Sequence, residues 1–314
     1  MPHAPALCPC RDTSTIRAMT QEAATWTVKR LLEWTSGYFG ARGLDAPRLS
    51  AELLLAHVLE VPRIRLYTDF ERPVLEPALS QFRELVKRAG KHEPIAYLTG
   101  KAHFFSLELE VGPGVLIPRP ETETLVENVL QFVRHATGFE SPRVLDLCTG
   151  SGCIAAAIAQ QLKTAVVVAV ELSDAAIAYA KRNFEKLGLA ERITLLQGDL
   201  FEPLDQLVDR QPFDLIVSNP PYIASAVIPT LDENVRNYEP MEALDGGEDG
   251  LDVHRRILAA APAHLSDNGR LFLEIAYDQG ETALELARNA PGLTDARILK
   301  DFGGRDRVLA MRKA

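Results

Sequence analysis

Two periodicities divide the chain. Between about Trp26 and Lys101, apolar residues recur at three- and four-residue spacing in "TVKRLLEWTSGYF", "APRLSAELLLAHVL" and "LEPALSQFRELVKRA". This is the spacing of helices that pack through one apolar face. Pro47 suits an early helical position and Gly90 a helix stop, so the portion reads as a small helical bundle. Residues 103–117, "HFFSLELEVGPGVLI", alternate and contain Gly-Pro-Gly, which predicts a short hairpin. From Thr122 onward, helical stretches alternate with apolar runs. Strands are predicted at 143–147, 165–171, 192–197, 213–218 and 270–276, with a closing pair at 296–301 and 307–312. Helices are predicted over 122–136, 152–162, 174–187, 251–263 and 279–290. The alternation implies an α/β domain with a mostly parallel sheet covered on both faces. "FGGRD" would close the last pair as an antiparallel hairpin. The predicted plan is a disordered extension over 1–18 with Met19 as an alternative start, a helical domain over 19–102, a hairpin linker over 103–117 and the α/β domain over 118–314.

Composition narrows the class. The 314 residues are 46% apolar and 25% charged, ordinary for a soluble protein large enough for two domains. No apolar run reaches the roughly 18 residues that suggest a membrane span. The first residues lack a basic start followed by an apolar stretch, so no signal peptide and a cytoplasmic location are expected. The net charge of −9 is uneven: residues 1–105 hold 14 basic and 11 acidic side chains, and the remainder 20 and 32. An acidic C-terminal portion argues against stable binding to a nucleic-acid backbone. The mildly basic N-terminal part is either a partner-facing surface or a solvated face. Cys8, Cys10, Cys148 and Cys153 lack a second pair at zinc spacing and read as free cytosolic thiols.

"VLDLCTGSGCIAAAIA" (144–159) reads as strand, glycine turn and helix. Gly150 and Gly152 permit a tight turn and close approach of a ligand beyond the strand ends. The glycines alone also satisfy the loose dinucleotide pattern. Three acids add information. Asp146 precedes the turn and can accept from a ligand amine or orient the loop. Glu171 ends the next strand, where a carboxylate can take both ribose hydroxyls. Asp199 ends the third and can receive an adenine amino group. Three acids at successive strand ends suit a cationic nucleoside and suit a pyrophosphate poorly, which favours S-adenosylmethionine over NAD.

"SNPPYI" (218–223) then follows a strand. Two prolines lock φ and carry no N–H, so they end the strand in a stiff turn. The bland reading is a strand terminator. The chemical reading is a grip for a planar amide or amine: the Asn219 oxygen and the Pro220 carbonyl accept its two N–H groups while Tyr222 packs on its face. An amide nitrogen is a poor nucleophile, so alignment with a methyl donor and fixed dipoles would supply much of the rate.

Taken together, "PRPETE" (118–123), "VLDLCTGSGCIA" (144–155), "GDLF" (198–201), "SNPPYI", "VRNYEPMEALDGGEDGLDVHRRIL" (235–258), "LEIAYDQG" (273–280) and "FGGRDRV" (302–308) resemble the PrmC/HemK family of glutamine-N5 methyltransferases, over about residues 25–312. The resemblance implies a helical N-terminal domain that recognises peptide chain release factors and a seven-stranded, Rossmann-like class I methyltransferase sheet. It implies S-adenosylmethionine as donor, S-adenosylhomocysteine as product, and the glutamine of a Gly-Gly-Gln loop as acceptor. A monomer is expected. The donor-binding positions implied are Asp146, Thr149, Gly150, Ser151, Gly152, Glu171, Asp199, Leu200 and Asn219. Asn219, Pro220, Pro221 and Tyr222 hold the acceptor, with Asn219, Pro220 and Tyr222 doing the chemistry. Cys148 stands where the family often has glycine, and Leu200 where some members have an aromatic. "PRPETE" resembles part of a substrate gate, without a chemical role for Arg119, Glu121 or Glu123.

"DGGEDG" (245–250) reads as an acidic turn before a helix and "GGRDR" as a hairpin turn with a salt bridge. His57, His92, His103 and His254 form no metal or triad spacing. A ribosomal-protein glutamine methyltransferase would share the whole site. An adenine-N6 nucleic-acid methyltransferase would use Asn-Pro-Pro-Tyr on a flipped base. An NAD-dependent oxidoreductase leaves Asn-Pro-Pro-Tyr unexplained.

Overall fold

The structure, a computed structural model, describes residues 25–314; the predicted extension 1–18, Met19, Cys8 and Cys10 lie outside the described residues. The chain divides into two compact units after Thr99.

The first unit is helical. Its helices span Val28–Gly40, Pro47–Val58, Arg63–Thr68, Ala78–Ala89 and Ile95–Thr99. The three- and four-residue spacing seen in sequence becomes a core of Leu31, Leu32, Phe39, Leu54, Leu55 and Phe82. The Thr27 side chain caps the first helix by accepting from the Arg30 N–H. Pro47 opens the second helix, as predicted. Gly90 stops the fourth helix, as predicted, though for a packing reason. It follows the fourth helix with φ −64°, so no left-handed turn requires it. A Cβ there would stand 2.7 Å from the Tyr38 hydroxyl oxygen, so ring packing demands the glycine.

The second unit begins with β1 (Lys101–Phe104) and β2 (Leu107–Glu110), an antiparallel hairpin. It is shorter and earlier than the predicted 103–117. Phe105 and Ser106 make its turn with φ 48° and 67°, a geometry usually given to Asn-Gly, which is why the Gly-Pro-Gly further on drew the prediction. Then follow β3 (Arg143–Leu147), β4 (Val166–Glu171), β5 (Ile193–Gln197), β6 (Phe213–Ser218), β7 (Leu265–Glu274), β8 (Leu293–Lys300) and β9 (Asp306–Lys313). They form one seven-stranded sheet in the order β5-β4-β3-β6-β7-β9-β8. The first five strands are parallel; β9 runs antiparallel to both β7 and β8.

Alternation along the strands builds a core on each face. Val144, Val167, Leu215 and Val217 pack with the helices Glu123–His135 and Cys153–Gln161. Leu145, Leu147, Val168, Ile216 and Leu271 pack with the helices Asp252–His264 and Gly280–Arg288. The order reverses between β3 and β6, and the C-terminal ends of β3, β4 and β6 open there into a crevice. That is where open α/β sheets bind ligands. Among the described residues no helix is long and apolar enough to cross a membrane.

Candidate active site

The crevice holds a cavity of about 370 Å³, lined among others by Thr149, Gly150, Ser151, Glu171, Asp199, Leu200, Asn219 and Pro221. Asp146, Gly152, Pro220 and Tyr222 do not line it.

On one side is the turn after β3. Cys148, Gly150 and Gly152 take φ of 56°, 58° and 81°. The two glycines serve different ends. At Gly150 a Cβ would meet nothing within 4 Å, so the bare backbone leaves the cavity open to a ligand. At Gly152 a Cβ would come 2.5 Å from the Phe184 ring, so that glycine permits packing. Cys148, standing where glycine is common in the resembling family, is held in the left-handed region that favours glycine. Burial pushes its thiol well above the ordinary range, and that of Cys153 to about 12, so neither supplies a thiolate.

Asp146 corrects the expectation of an acid at a strand end facing a ligand. It lies inside β3, fully buried, on the face turned to the following helix. One oxygen accepts from the Thr149 hydroxyl at 2.6 Å and from the Ala155 N–H at 3.0 Å. It therefore orients the loop, the second of the two roles open to it in sequence. Burial raises its carboxyl to about 7.

Glu171 does end β4 and lines the cavity. It accepts from the N–H groups of Gly150 (2.7 Å), Leu172 (2.9 Å) and Ser173 (2.9 Å), tying the glycine turn to its own strand end. Burial raises its carboxyl despite these bonds. Asp199 faces the cavity two residues beyond β5, and Arg256 donates to one of its oxygens at 2.7 Å. Its other oxygen lies outside that pair and can accept from a ligand. Leu200 lines the wall beside it with φ 49°.

Across the cavity is the turn after β6. The Asn219 side chain donates through Nδ2 to the Thr122 hydroxyl at 3.1 Å. Its Oδ1 is thereby oriented as the acceptor of the pair. Tyr222 donates to Glu274 at 3.2 Å, and its own backbone carbonyl accepts from the Gln279 amide at 2.9 Å. Glu274 ends β7 and is fully buried. The Thr122 hydroxyl and the Arg307 charge favour its ionised form, but burial dominates and raises it to about 7.

Several residues that build this side gave little sign in the sequence. The "DGGEDG" turn is more than a helix lead-in. Ile223 and Gly246 exchange backbone bonds with it: Ile223 N–H to the Leu244 carbonyl at 3.0 Å and Gly246 N–H to the Ile223 carbonyl at 2.9 Å. A Cβ on Gly250 would lie 2.3 Å from the Tyr222 carbonyl oxygen, and one on Gly246 2.8 Å from that of Pro221. The glycines let this loop lie flat against the proline turn. Asp249 pairs with Arg255, which holds its carboxyl down at about 2. Thr122 and Arg119 of "PRPETE" both line the cavity, and Arg119 pairs with the buried Glu239. Glu239 also accepts from the Ile117 N–H at 3.2 Å. Asn183, fully buried, donates to the Glu110 and Ser151 carbonyls and so joins β2 to the glycine turn. "GGRDR" does form the β8–β9 hairpin, with an Asp301–Arg307 pair at 3.6 Å. The charge of its Arg307 also favours the ionised form of Glu274. The Arg in "PRPETE" and the Glu before Pro240, which pair with each other, are the available hints; nothing local announces Asn183 or Thr122.

Comparison with known proteins agrees with this layout. Residues 30–100 match the PrmC N-terminal domain, and residues 139–275 match a methyltransferase domain. The release factor glutamine methyltransferase of Geobacter sulfurreducens is 45% identical over 294 residues, 94% of this chain and 99% of that protein. Its counterpart in Rhodopirellula baltica is 43% identical over 95% of this chain and all of that protein. Among solved structures, the release factor-specific protein-(glutamine-N5) methyltransferase of Alicyclobacillus acidocaldarius is 32% identical, covering 65% of this chain and 98% of that one with a TM-score of 0.39. Near-complete coverage at such identity, with both domains in the same order, places this chain in the release factor glutamine methyltransferase family.

Proposed function

We propose that this protein transfers a methyl group from S-adenosylmethionine to the side-chain N5 of the glutamine in the Gly-Gly-Gln loop of peptide chain release factors. The observation that carries this reading is the cavity itself: the open backbone of Gly150, the Glu171 carboxylate and the Asn219 side chain share one wall system at the sheet's switch point. These residues suit a nucleoside donor. Glu171 would take the ribose hydroxyls, Thr149 to Ser151 the amino-acid end, and Leu200 with the remaining Asp199 oxygen the adenine. Asp146 and Gly152 act from behind, one orienting the loop and the other admitting Phe184.

When bound, the donor supplies a sulfonium-activated methyl and leaves as S-adenosylhomocysteine. The chain's own part is positional. Asn219 Oδ1 and the Pro220 carbonyl accept the two N–H groups of the glutamine amide, which fixes the nitrogen lone pair along the line of transfer. Those same dipoles stabilise the positive charge that grows on nitrogen before one proton leaves. Pro220 and Pro221 keep the turn rigid, and the Tyr222 ring, anchored through its hydroxyl, flanks the acceptor. The N-terminal helices would recognise the release factor in the cytoplasm, with the enzyme acting as a monomer and holding no nucleic acid.

The test is methyl transfer from labelled S-adenosylmethionine with release factor, ribosomal protein and DNA offered separately. Label on the release factor, lost when its loop glutamine is replaced, is expected. Label on the ribosomal protein or DNA alone would overturn the substrate.

A further inference from the structure

The grip described for the acceptor is one-sided. Asn219 Oδ1 and the Pro220 carbonyl can only accept, so they serve the N–H groups of the acceptor amide and nothing else. A peptide also brings carbonyl oxygens into the cavity, and a carbonyl cut off from water needs a hydrogen-bond partner of its own. Arg119 is the charged side chain placed to supply one. It lines the cavity with Thr122, Asn219 and Pro221. Its backbone carbonyl accepts from the Thr122 N–H at 3.1 Å, which sets it beside the hydroxyl that holds Asn219. Burial pushes the Tyr222 hydroxyl up and the Arg119 charge opposes that rise, so the guanidinium stands within electrostatic reach of the proline turn.

The guanidinium is clamped from behind. Its Nη2 donates to Glu239 Oε1, and the other Glu239 oxygen accepts from the Ile117 N–H at 3.2 Å. The Glu239 side chain is fully buried, while that of Arg119 is 29% exposed. Among the described residues the Arg119 side chain makes no other hydrogen bond, so the remaining N–H groups of its planar fork are unspent at the cavity wall. A buried ion pair adds little stability over apolar side chains of similar volume, so stability is a weak reason for this one. What the pair does is fix the fork. It is neutral as a whole and offers directed N–H groups without a net charge, which suits a carbonyl better than a carboxylate.

We propose that Arg119 is a substrate-binding residue, set in place by Glu239, whose free N–H groups hold a main-chain carbonyl beside the acceptor glutamine. The inference rests on the reading of the cavity as a methyl-transfer site. The glutamine's own side-chain oxygen is the wrong target, because a hydrogen bond there would draw electron density from the nitrogen that must attack. A main-chain carbonyl carries no such penalty. The contact also selects for a peptide, since adenine has no carbonyl to offer.

The experiment uses the full chain and a peptide spanning the Gly-Gly-Gln loop. Two analogues carry a thioamide in place of the main-chain carbonyl before or after the glutamine, where sulfur accepts hydrogen bonds only weakly. Arg119→Lys keeps the ion pair but loses the fork. Arg119→Met/Glu239→Gln removes both charges and keeps an acceptor for the Ile117 N–H. Melting temperature and the Kd for S-adenosylmethionine, read first, are expected to stay close to wild type. The peptide Kd by calorimetry and the peptide KM are expected to rise about 10- to 100-fold in both variants, the worth of one hydrogen bond to a charged group, with kcat little changed. One of the two thioamide peptides should bind the wild type as weakly as the variants bind the parent peptide, and should lose nothing further in the variants. Parent-peptide affinity unchanged in both variants would overturn the proposal, as would thioamide losses that add in full to those of the variants. A rise confined to the Kd for S-adenosylmethionine would overturn it too, by assigning Arg119 to the carboxylate of that ligand. A wild type that binds the peptide with this dependence on Arg119, yet transfers no methyl group, would sink the functional reading alone.

Discussion

Two buried carboxyls, one beneath each half of the cavity, invite comparison. Asp146 lies under the glycine turn and Glu274 under the proline turn; both are fully buried and both are raised to about 7 by burial. Their partners differ in origin. Asp146 is bonded by Thr149 and Ala155, three and nine residues away. Glu274 is bonded by Tyr222, 52 residues away, and feels the charge of Arg307 on β9. The proposed donor side is thus built from one contiguous stretch plus the ends of β4 and β5, which follow it in the chain. The acceptor side is assembled from five stretches of chain that meet only after folding. A local design tolerates change elsewhere in the protein; an assembled one couples the acceptor grip to β7, β9 and the loop 245–250.

The largest contrast is expected from removing the acceptor's own ligand. Asn219→Ala should lower transfer by about 10²–10³-fold, the usual loss on removing one dipole aimed at developing charge. Donor affinity, read by calorimetry, should be retained; an equal loss of donor binding would erase the distinction between the two sides. Glu171→Ala should do the reverse. The donor Kd is expected to rise about 10- to 100-fold, the worth of hydrogen bonds to a charged group. The rate at saturating donor should change little.

The glycines offer a paired test at somewhat smaller scale. Gly152→Ala and Gly250→Ala each put a Cβ within 2.5 Å of an occupied position at φ of 81° and 79°. Each should cost on the order of 1–3 kcal/mol of stability. Gly152→Ala should raise the donor Kd, and Gly250→Ala should lower kcat. If both variants changed the same constant, the two sides would be one unit.

The carboxyls sharpen the comparison through pH. A folded-state value raised to about 7, from ordinary values of 3.8 and 4.5, means that the folded protein holds those protons more tightly than the unfolded chain. The stability they contribute is complete below the unfolded values and is lost as pH climbs through 7. Asp146→Asn and Glu274→Gln remove that loss. Each variant should therefore gain on the wild type as pH rises from about 4.5 to 7, by on the order of 1 kcal/mol per unit. Denaturant melts at several pH values would read it.

The smallest effect is reserved for Cys148→Gly. Relieving a left-handed φ of 56° should stabilise by up to about 1 kcal/mol, less the entropy that glycine adds to the unfolded chain, with donor affinity unchanged or tighter.

The sequence by itself determined the alternation of strands and helices, because apolar periodicity is written residue by residue and needs no distant partner. Six of the seven strands of the large sheet lie within a few residues of their predicted ends, and β7 starts at Leu265, five residues before its prediction. Gly150, Glu171 and Asn219, which line the cavity, are legible in the sequence because glycine turns, strand-terminal acids and proline stops are local signals. What only the tertiary structure decided is the assignment of work among residues of the same kind. Gly150 opens the cavity while Gly152 and Gly90 admit aromatic rings. Asp146 turns inward to brace the loop, and Asp199 arrives already paired with Arg256. The turn of the first hairpin falls at Phe105-Ser106 and not at Gly-Pro-Gly. Thr122, Asn183 and Glu274 carry no local signature, because a buried polar residue is defined by the partner that satisfies it, and here that partner is supplied by the fold.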